Sequence, residues 1–202
     1  MKRICILGPV DKRIVTYPLI KVLDLTGRLL VVTDDASYRR FADDLGTEFM
    51  YGQSQFLIAP KVTREYAKEH GFSEEDFDFV LYTTTSEYFD DCDCTVYCHG
   101  INKSMLPDND IEFLSEMNVR EVIISPNKIP ESKTGDGQIE KKPVKIDVLK
   151  DALHYVYTCE ENRSFMYQSK PGTVLPKILE HLFKDATGLD ATRIGKILER
   201  KE

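Results

Sequence analysis

No stretch of the sequence approaches the ~20 consecutive apolar residues that span a bilayer, which excludes a transmembrane helix. The opening MKRICILG sets basic residues before a short apolar run. It lacks a full hydrophobic region and a cleavage site, so it reads as a first strand and not as a signal peptide. There is no excess of basic charge either. The formal net charge is −7, and it gives no strong signal for nucleic-acid binding. Internal repeats and low-complexity segments are also missing. Cys92, Cys94 and Cys98 cluster beside His99, but no second, separated pair of ligands accompanies them, as a zinc site would require. The expectation is a cytoplasmic protein whose five cysteines are reduced, with no disulfide, no metal and no cofactor.

What is present is ordinary globular material. The 202 residues are 42% hydrophobic and 30% charged, enough for one sizeable core. Short apolar runs alternate with amphipathic stretches. The spacing predicts strands at 3–7, 28–35, 77–84, 94–100 and 120–128, and two short strands around Gly52 within 47–62. Helices are predicted at 15–25, starting near Thr16 or Tyr17 because of Pro18, and at 37–46 with Ser37 as a possible cap. Others are predicted at 63–71, 108–118, 145–153, 172–188 and 190–201, with a strand at 154–161 and the longest loop at 129–145.

Strands separated by helices imply βαβ units. The expected fold is α/β: a three-layer, doubly wound, mostly parallel sheet with helices on both faces. The domain reading is a single α/β domain over 1–188 followed by a C-terminal amphipathic helix over 189–202. That helix sets Ile194, Ile197 and Leu198 on one side and is flanked by basic residues. It is read as packing on its own domain or on a partner. Peripheral contact with the inner face of a membrane is a secondary reading, because the apolar face is small.

In such sheets ligands sit at the carboxyl ends of the strands. The segment LGPVDKRIV, 7–15, falls there. Gly8 and Lys12 suit a loop that curls backbone N–H groups around phosphate. Asp11 opposes an anion, and Arg13 stands where a metal-holding hydroxyl is needed. By itself the segment reads as a tight strand-to-helix turn.

Taken with later segments, it resembles the ParA/MinD family of deviant-Walker P-loop ATPases, whose loop reads K-G-G-V-G-K-T-T-V. Gly8, Val10, Lys12 and Val15 agree with it. Leu7 replaces the signature lysine, Asp11 a glycine, and Arg13 and Ile14 the two threonines. VVTDD, 31–35, is similar to the family's L-V-D-x-D; Asp35 falls on its second acid and Thr33 on its first. FDFVLYTTT, 77–85, resembles the Walker B strand, with Thr84 matching and Thr83 in place of the metal-side aspartate. CDCTVYC, 92–98, sits on the next strand, and VIISPNKI, 122–129, resembles a strand ending in a base-facing asparagine, Asn127.

The resemblance implies the P-loop NTPase-like fold. The replacements imply that Walker A and Walker B chemistry is lost, since Mg²⁺ wants hard oxygen ligands together with phosphate. Catalytic residues are therefore none. A vestigial nucleotide site, if any, would consist of Gly8, Lys12, Arg13, Asp35, Thr83, Thr84 and Asn127. The leading expectation is a non-catalytic pseudo-ATPase that acts as a protein-binding scaffold or localisation factor. In kind it resembles the atypical ParA-like localisation proteins of bacterial pilus and secretion systems. Its partner would be a protein: a second copy, or an active paralogue. The alternative is a transferase-type enzyme binding a small molecule or nucleotide in the carboxyl-end cleft. A third is a DNA-associated partition protein.

Overall fold

The computed structural model describes residues 1–44, 46–85, 89, 91–100, 106–115, 119–125, 144–147, 150–165 and 183–200. Among these residues eight strands form one sheet in the order β3-β4-β2-β5-β1-β6-β7-β8. These are β1 Lys2–Leu7, β2 Leu29–Thr33, β3 Glu48–Tyr51, β4 Ser54–Ile58, β5 Phe79–Thr84, β6 Cys94–His99, β7 Val119–Ser125 and β8 Val144–Asp147. Every neighbouring pair is parallel except the β3–β4 hairpin, which turns at Gly52 with a positive φ of 55°. The α-helices given whole among the described residues are α1 Arg13–Asp24, α2 Arg64–Glu69, α3 Asp108–Leu114, α4 Lys150–Glu161 and α5 Ala191–Glu199.

The period-2 alternation of β1 decides the layering. Ile4 and Ile6 point into one apolar cluster with α1, α4 and α5. Cys5 and Leu7 point into the other with α2 and α3. Helices thus cover both faces, and the central strands are buried almost throughout. The expected three-layer, mostly parallel α/β fold is the one found.

On the first face the core is aromatic. Phe41 stacks on Phe165 with centroids 3.8 Å apart, Tyr17 meets Phe165 edge-on at 5.1 Å, and Phe56 stacks on Phe165 at 5.6 Å. Each such ring pair adds about 1 kcal/mol beyond its buried area.

Three local expectations are corrected. First, α1 begins at Arg13, earlier than Pro18 suggested. The Lys12 carbonyl already accepts from Val15 N at 2.8 Å and Thr16 N at 2.9 Å. Pro18 forfeits one bond inside a helix buried from Ile14 to Asp24, and burial outweighs that loss. Second, the segment after β2 is a 3-10 helix, Ala36–Phe41, capped by Asp35 and not by Ser37. Asp35 accepts from Ser37 N at 2.8 Å.

Third, the elements at 145–161 are reversed. Val144–Asp147 is a strand pairing with β7, and Lys150–Glu161 is a helix. Tyr155, Val156, Cys159 and Glu160 are all buried, a stripe with helical spacing that the β-branched and aromatic content of HYVYTCEE concealed. The helix expected over 172–188 lies mostly outside the described residues; 183–187 are helical. The same holds for the loop at 129–145, of which 144–145 are described.

The last helix packs on its own domain. Ile194, Ile197 and Leu198 join the core, and Asp190 caps the helix through Arg193 N at 2.9 Å. The fully buried Lys21 donates from Nζ to the carbonyls of Leu198 and Arg200 at 2.9 and 2.8 Å, so open carbonyls at the end of α5 are satisfied by a side-chain amine from α1. No helix among the described residues is long and apolar enough to cross a membrane.

Gly8 is the tightest backbone position. Its φ is +124°, and a Cβ there would overlap the carbonyl group of Cys98. Gly8→Ala is expected to destabilise the fold by about 3 kcal/mol or more, read as a lowered urea midpoint at constant m. A midpoint unchanged from the parent would refute this close approach.

Candidate functional site

The order β2-β5-β1-β6 brings the sequence-predicted residues to one edge. Gly8 and Lys12 lie in the loop after β1, and Arg13 opens α1. Asp35 follows β2, while Thr83 and Thr84 end β5. Register makes this concrete: Thr83 stands opposite Ile6 on one side and Thr33 on the other, and Thr84 opposite Leu7. Asn127, two positions beyond β7, lies outside the described residues.

The loop is closed on itself. Lys12 Nζ donates to the carbonyls of Gly8 at 2.9 Å and Val10 at 3.4 Å. Arg13 is engaged on both flanks. Its Nη2 lies 2.6 Å from Asp11 Oδ2, and its Nη1 lies 2.6 Å from Glu160 Oε1. Asp11 also accepts from Arg13 N at 3.0 Å. These bonds to Asp11, with Glu160 behind them, hold the guanidinium firmly protonated. Burial works to raise the Asp11 carboxyl, but the hydrogen bonds and charge of Arg13 win and hold it below the usual carboxylate range.

Glu160 is the hub. Its side chain is 3% exposed and accepts from Arg13, from Arg40 Nη1 at 2.8 Å and from Tyr17 Oη at 3.0 Å. It fastens α4 to the start of α1 and to the 3-10 helix. Two carboxylates and two guanidiniums are thereby paired among themselves at the mouth of the loop. Burial pushes the hydroxyls of Tyr17 and Tyr38 far up, so both are neutral donors. Tyr38 donates to Thr16 at 2.6 Å.

The next strand ends are equally committed. Asp34 Oδ2 accepts from Thr84 Oγ1 at 3.0 Å, Thr85 N at 2.9 Å and Thr85 Oγ1 at 3.0 Å, a clasp between β2 and β5. Asp35 caps the 3-10 helix, and its own N–H donates to Thr33 Oγ1 at 3.0 Å. Thr33 and Thr83, side by side in register, are both buried and both neutral. Across β1 from these, His99 Nε2 meets Glu121 Oε1 at 2.8 Å, with Nδ1 against the Gly100 carbonyl.

Sequence reasoning missed Glu160 and Glu121. For Glu160 the signal was present: an acid on the apolar stripe Tyr155, Val156, Cys159 is conspicuous once 150–161 is read as a helix. Asp34 stands out beside Asp35: it is the acid that accepts from the end of β5, while Asp35 caps the 3-10 helix. Among the described residues no three His, Cys, Asp or Glu side chains converge as a metal cluster. All five cysteines are free thiols.

The strand order and edge chemistry define a doubly wound α/β protein with a lysine-bearing loop after its first strand. No family model matches the sequence, and no curated protein matches it. Two solved structures are similar in outline. One is a plasmid partition protein from Borrelia burgdorferi, 12% identical, TM-score 0.45, covering 80% of this chain and 97% of the other. The second is a plasmid partition protein of Borrelia burgdorferi B31 bound to AMPPNP, 9% identical, TM-score 0.45, covering 97% of both chains.

Glu160→Gln leaves Arg13 and Arg40 without their shared carboxylate. Both arginines reach solvent, so the expected loss is about 1–3 kcal/mol, below that of a fully buried pair. Urea denaturation measures it, and an unchanged midpoint would remove Glu160 as the hub.

Proposed function

We propose that this chain is a ParA/MinD-like pseudo-ATPase that works by binding proteins and not by hydrolysing nucleotide. The observation that carries the reading is the fate of Arg13. In a P-loop the residue after the lysine supplies a hydroxyl to Mg²⁺. Here that position is an arginine already paired with Asp11 and the buried Glu160. A guanidinium has no lone pair to give a metal.

Three further features support the same reading. Asp11 sets a carboxylate where an incoming phosphate would approach. The registered pair Thr33 and Thr83 offers only neutral oxygens where two acids would be needed to hold Mg²⁺. Asp34, the acid bonded to the end of β5, already accepts three hydrogen bonds. The residues present do not fit a Mg²⁺–nucleotide complex. Gly8, Lys12, Thr84 and Asn127 would at most form a remnant nucleotide contact. The partner is a protein, a second copy or an active paralogue, and the role is scaffolding or localisation.

Calorimetric titration of the full chain with ATP, ADP and GTP, with and without Mg²⁺, tests the proposal. The expected result is no saturable Mg²⁺-dependent heat, and no Mg²⁺-dependent phosphate release above the buffer rate. Hydrolysis that requires Mg²⁺ and that Lys12→Ala abolishes would overturn it. For the partner, the expected outcome is a discrete complex in sizing chromatography with light scattering, unchanged by added nucleotide.

A further inference from the structure

The hairpin edge of the sheet is open, and its backbone matches itself. β3 is the outermost strand, and among the described residues no strand lies beyond it. Its pairing with β4 decides which backbone groups point away. Ile58 N donates to the Thr47 carbonyl at 2.7 Å, so these two residues face each other as a hydrogen-bonded pair. In an antiparallel ladder such pairs alternate with non-bonded ones. The register Glu48↔Leu57, Phe49↔Phe56, Met50↔Gln55 and Tyr51↔Ser54 therefore turns the N–H and C=O groups of Phe49 and Tyr51 toward β4. Those of Glu48 and Met50 turn outward, to the open edge.

The side chains leave this edge approachable. Met50 is 59% exposed and Glu48 is exposed beside it. Phe49 lies on the other face, stacked on Phe56 with centroids 4.7 Å apart. Edges that avoid pairing carry proline, lysine or a charge turned into the sheet. GTEFMY, 46–51, has neither proline nor lysine. Its one charge, Glu48, is paired with His70 Nδ1 at 2.6 Å, at the end of α2 on one face of the sheet.

We propose that β3 is the pairing edge of a two-fold dimer. A second copy of β3 lies antiparallel beside the first, with the axis at Phe49. Glu48 then stands opposite the second copy's Met50, and Met50 opposite its Glu48. Both are hydrogen-bonded pairs, so four N–H···O=C bonds use every outward group of the two residues in each copy. On the α2 face each carboxylate sits beside a thioether, and no like charges meet. On the other face the two Phe49 side chains meet at the axis as a non-hydrogen-bonded pair, the closer kind, with Cβ atoms about 5 Å apart.

Other registers fit worse. Sliding the copies by two residues one way sets Glu48 directly against the second copy's Glu48. Sliding them the other way sets Glu48 against Gly52, where the chain already turns. A one-residue slip puts inward groups against outward ones. The edge is thus self-complementary in one register, which is what an isologous contact requires. The proposal rests on the reading above in which the partner is a second copy.

Light scattering on the full chain over about a hundredfold range of concentration tests this, together with hydrogen exchange at single amides. The expected mass rises from one chain to two. The amides of Glu48 and Met50 are expected to exchange freely in the dilute chain and at least about tenfold more slowly in the concentrated one. Met50→Pro removes an outward donor that β4 does not use. It is expected to abolish the dimer and to leave the urea midpoint of the dilute chain close to that of the parent. Met50→Lys sets a cation opposite Glu48 and is expected to tighten the dimer several-fold, whereas Met50→Glu is expected to loosen it several-fold. A single chain at every concentration, a dimer that survives Met50→Pro, or Met50→Lys and Met50→Glu acting in the same direction would overturn the proposal. The two readings fail separately. Mg²⁺-dependent hydrolysis would leave the dimer standing, and a monomer would leave the lost metal chemistry standing.

Discussion

The architecture depends on how closely β1 is allowed to approach β6 at their carboxyl ends. Gly8 turns the chain out of β1 against the Cys98 carbonyl, at a backbone angle that excludes a side chain. That turn delivers Lys12 to the start of α1, and α1 is the helix on which one face of the protein is assembled. The aromatic cluster around Tyr17 and Phe165, the carboxylate of Glu160 and the carbonyls accepting from Lys21 all attach to it. A chain that turned less tightly after Leu7 would place none of these partners in reach.

The carboxyl edge reads as a ligand-binding edge whose charges have been turned inward. Among the described residues, the charged side chains of this edge that would serve an anion or a metal have internal assignments. Lys12 closes its own loop, Arg13 joins α1 to α4 through Glu160, Asp34 ties β2 to β5, and Asp35 caps a helix. The chemistry that elsewhere recruits a ligand here links secondary structures. Stability and ligand recognition compete for the same polar groups, because a side chain whose donors are satisfied within the fold must give them up to bind anything else.

The succession of strands was legible because buried parallel strands leave near-continuous apolar runs, such as RLLVV and FDFVLY. The hairpin around Gly52 was legible from its turn residue. What misled was local composition. HYVYTCEE carries the β-branched and aromatic residues of a strand, yet folds as a helix because its buried positions repeat with helical spacing. That error hid Glu160. At the site, the residue types on the edge were readable, but not which partners would take them. Asp11 and Glu160 stand 2 and 147 positions from Arg13, and only the near one is visible from sequence spacing.

The strand order also governs how the chain comes to be folded. β1 is central, yet its neighbours are β5 and β6, made roughly eighty to ninety residues later. During synthesis RICIL must wait, with both hydrogen-bonding edges open, until Phe79–Thr84 and then Cys94–His99 emerge. Lys21 waits longer still, for carbonyls at 198 and 200. Such distant closures make folding slow and leave unpaired apolar strands exposed along the way. The interval between the first strand and the sixth is therefore the stretch of synthesis in which the edges of β1 lack their partners in the sheet.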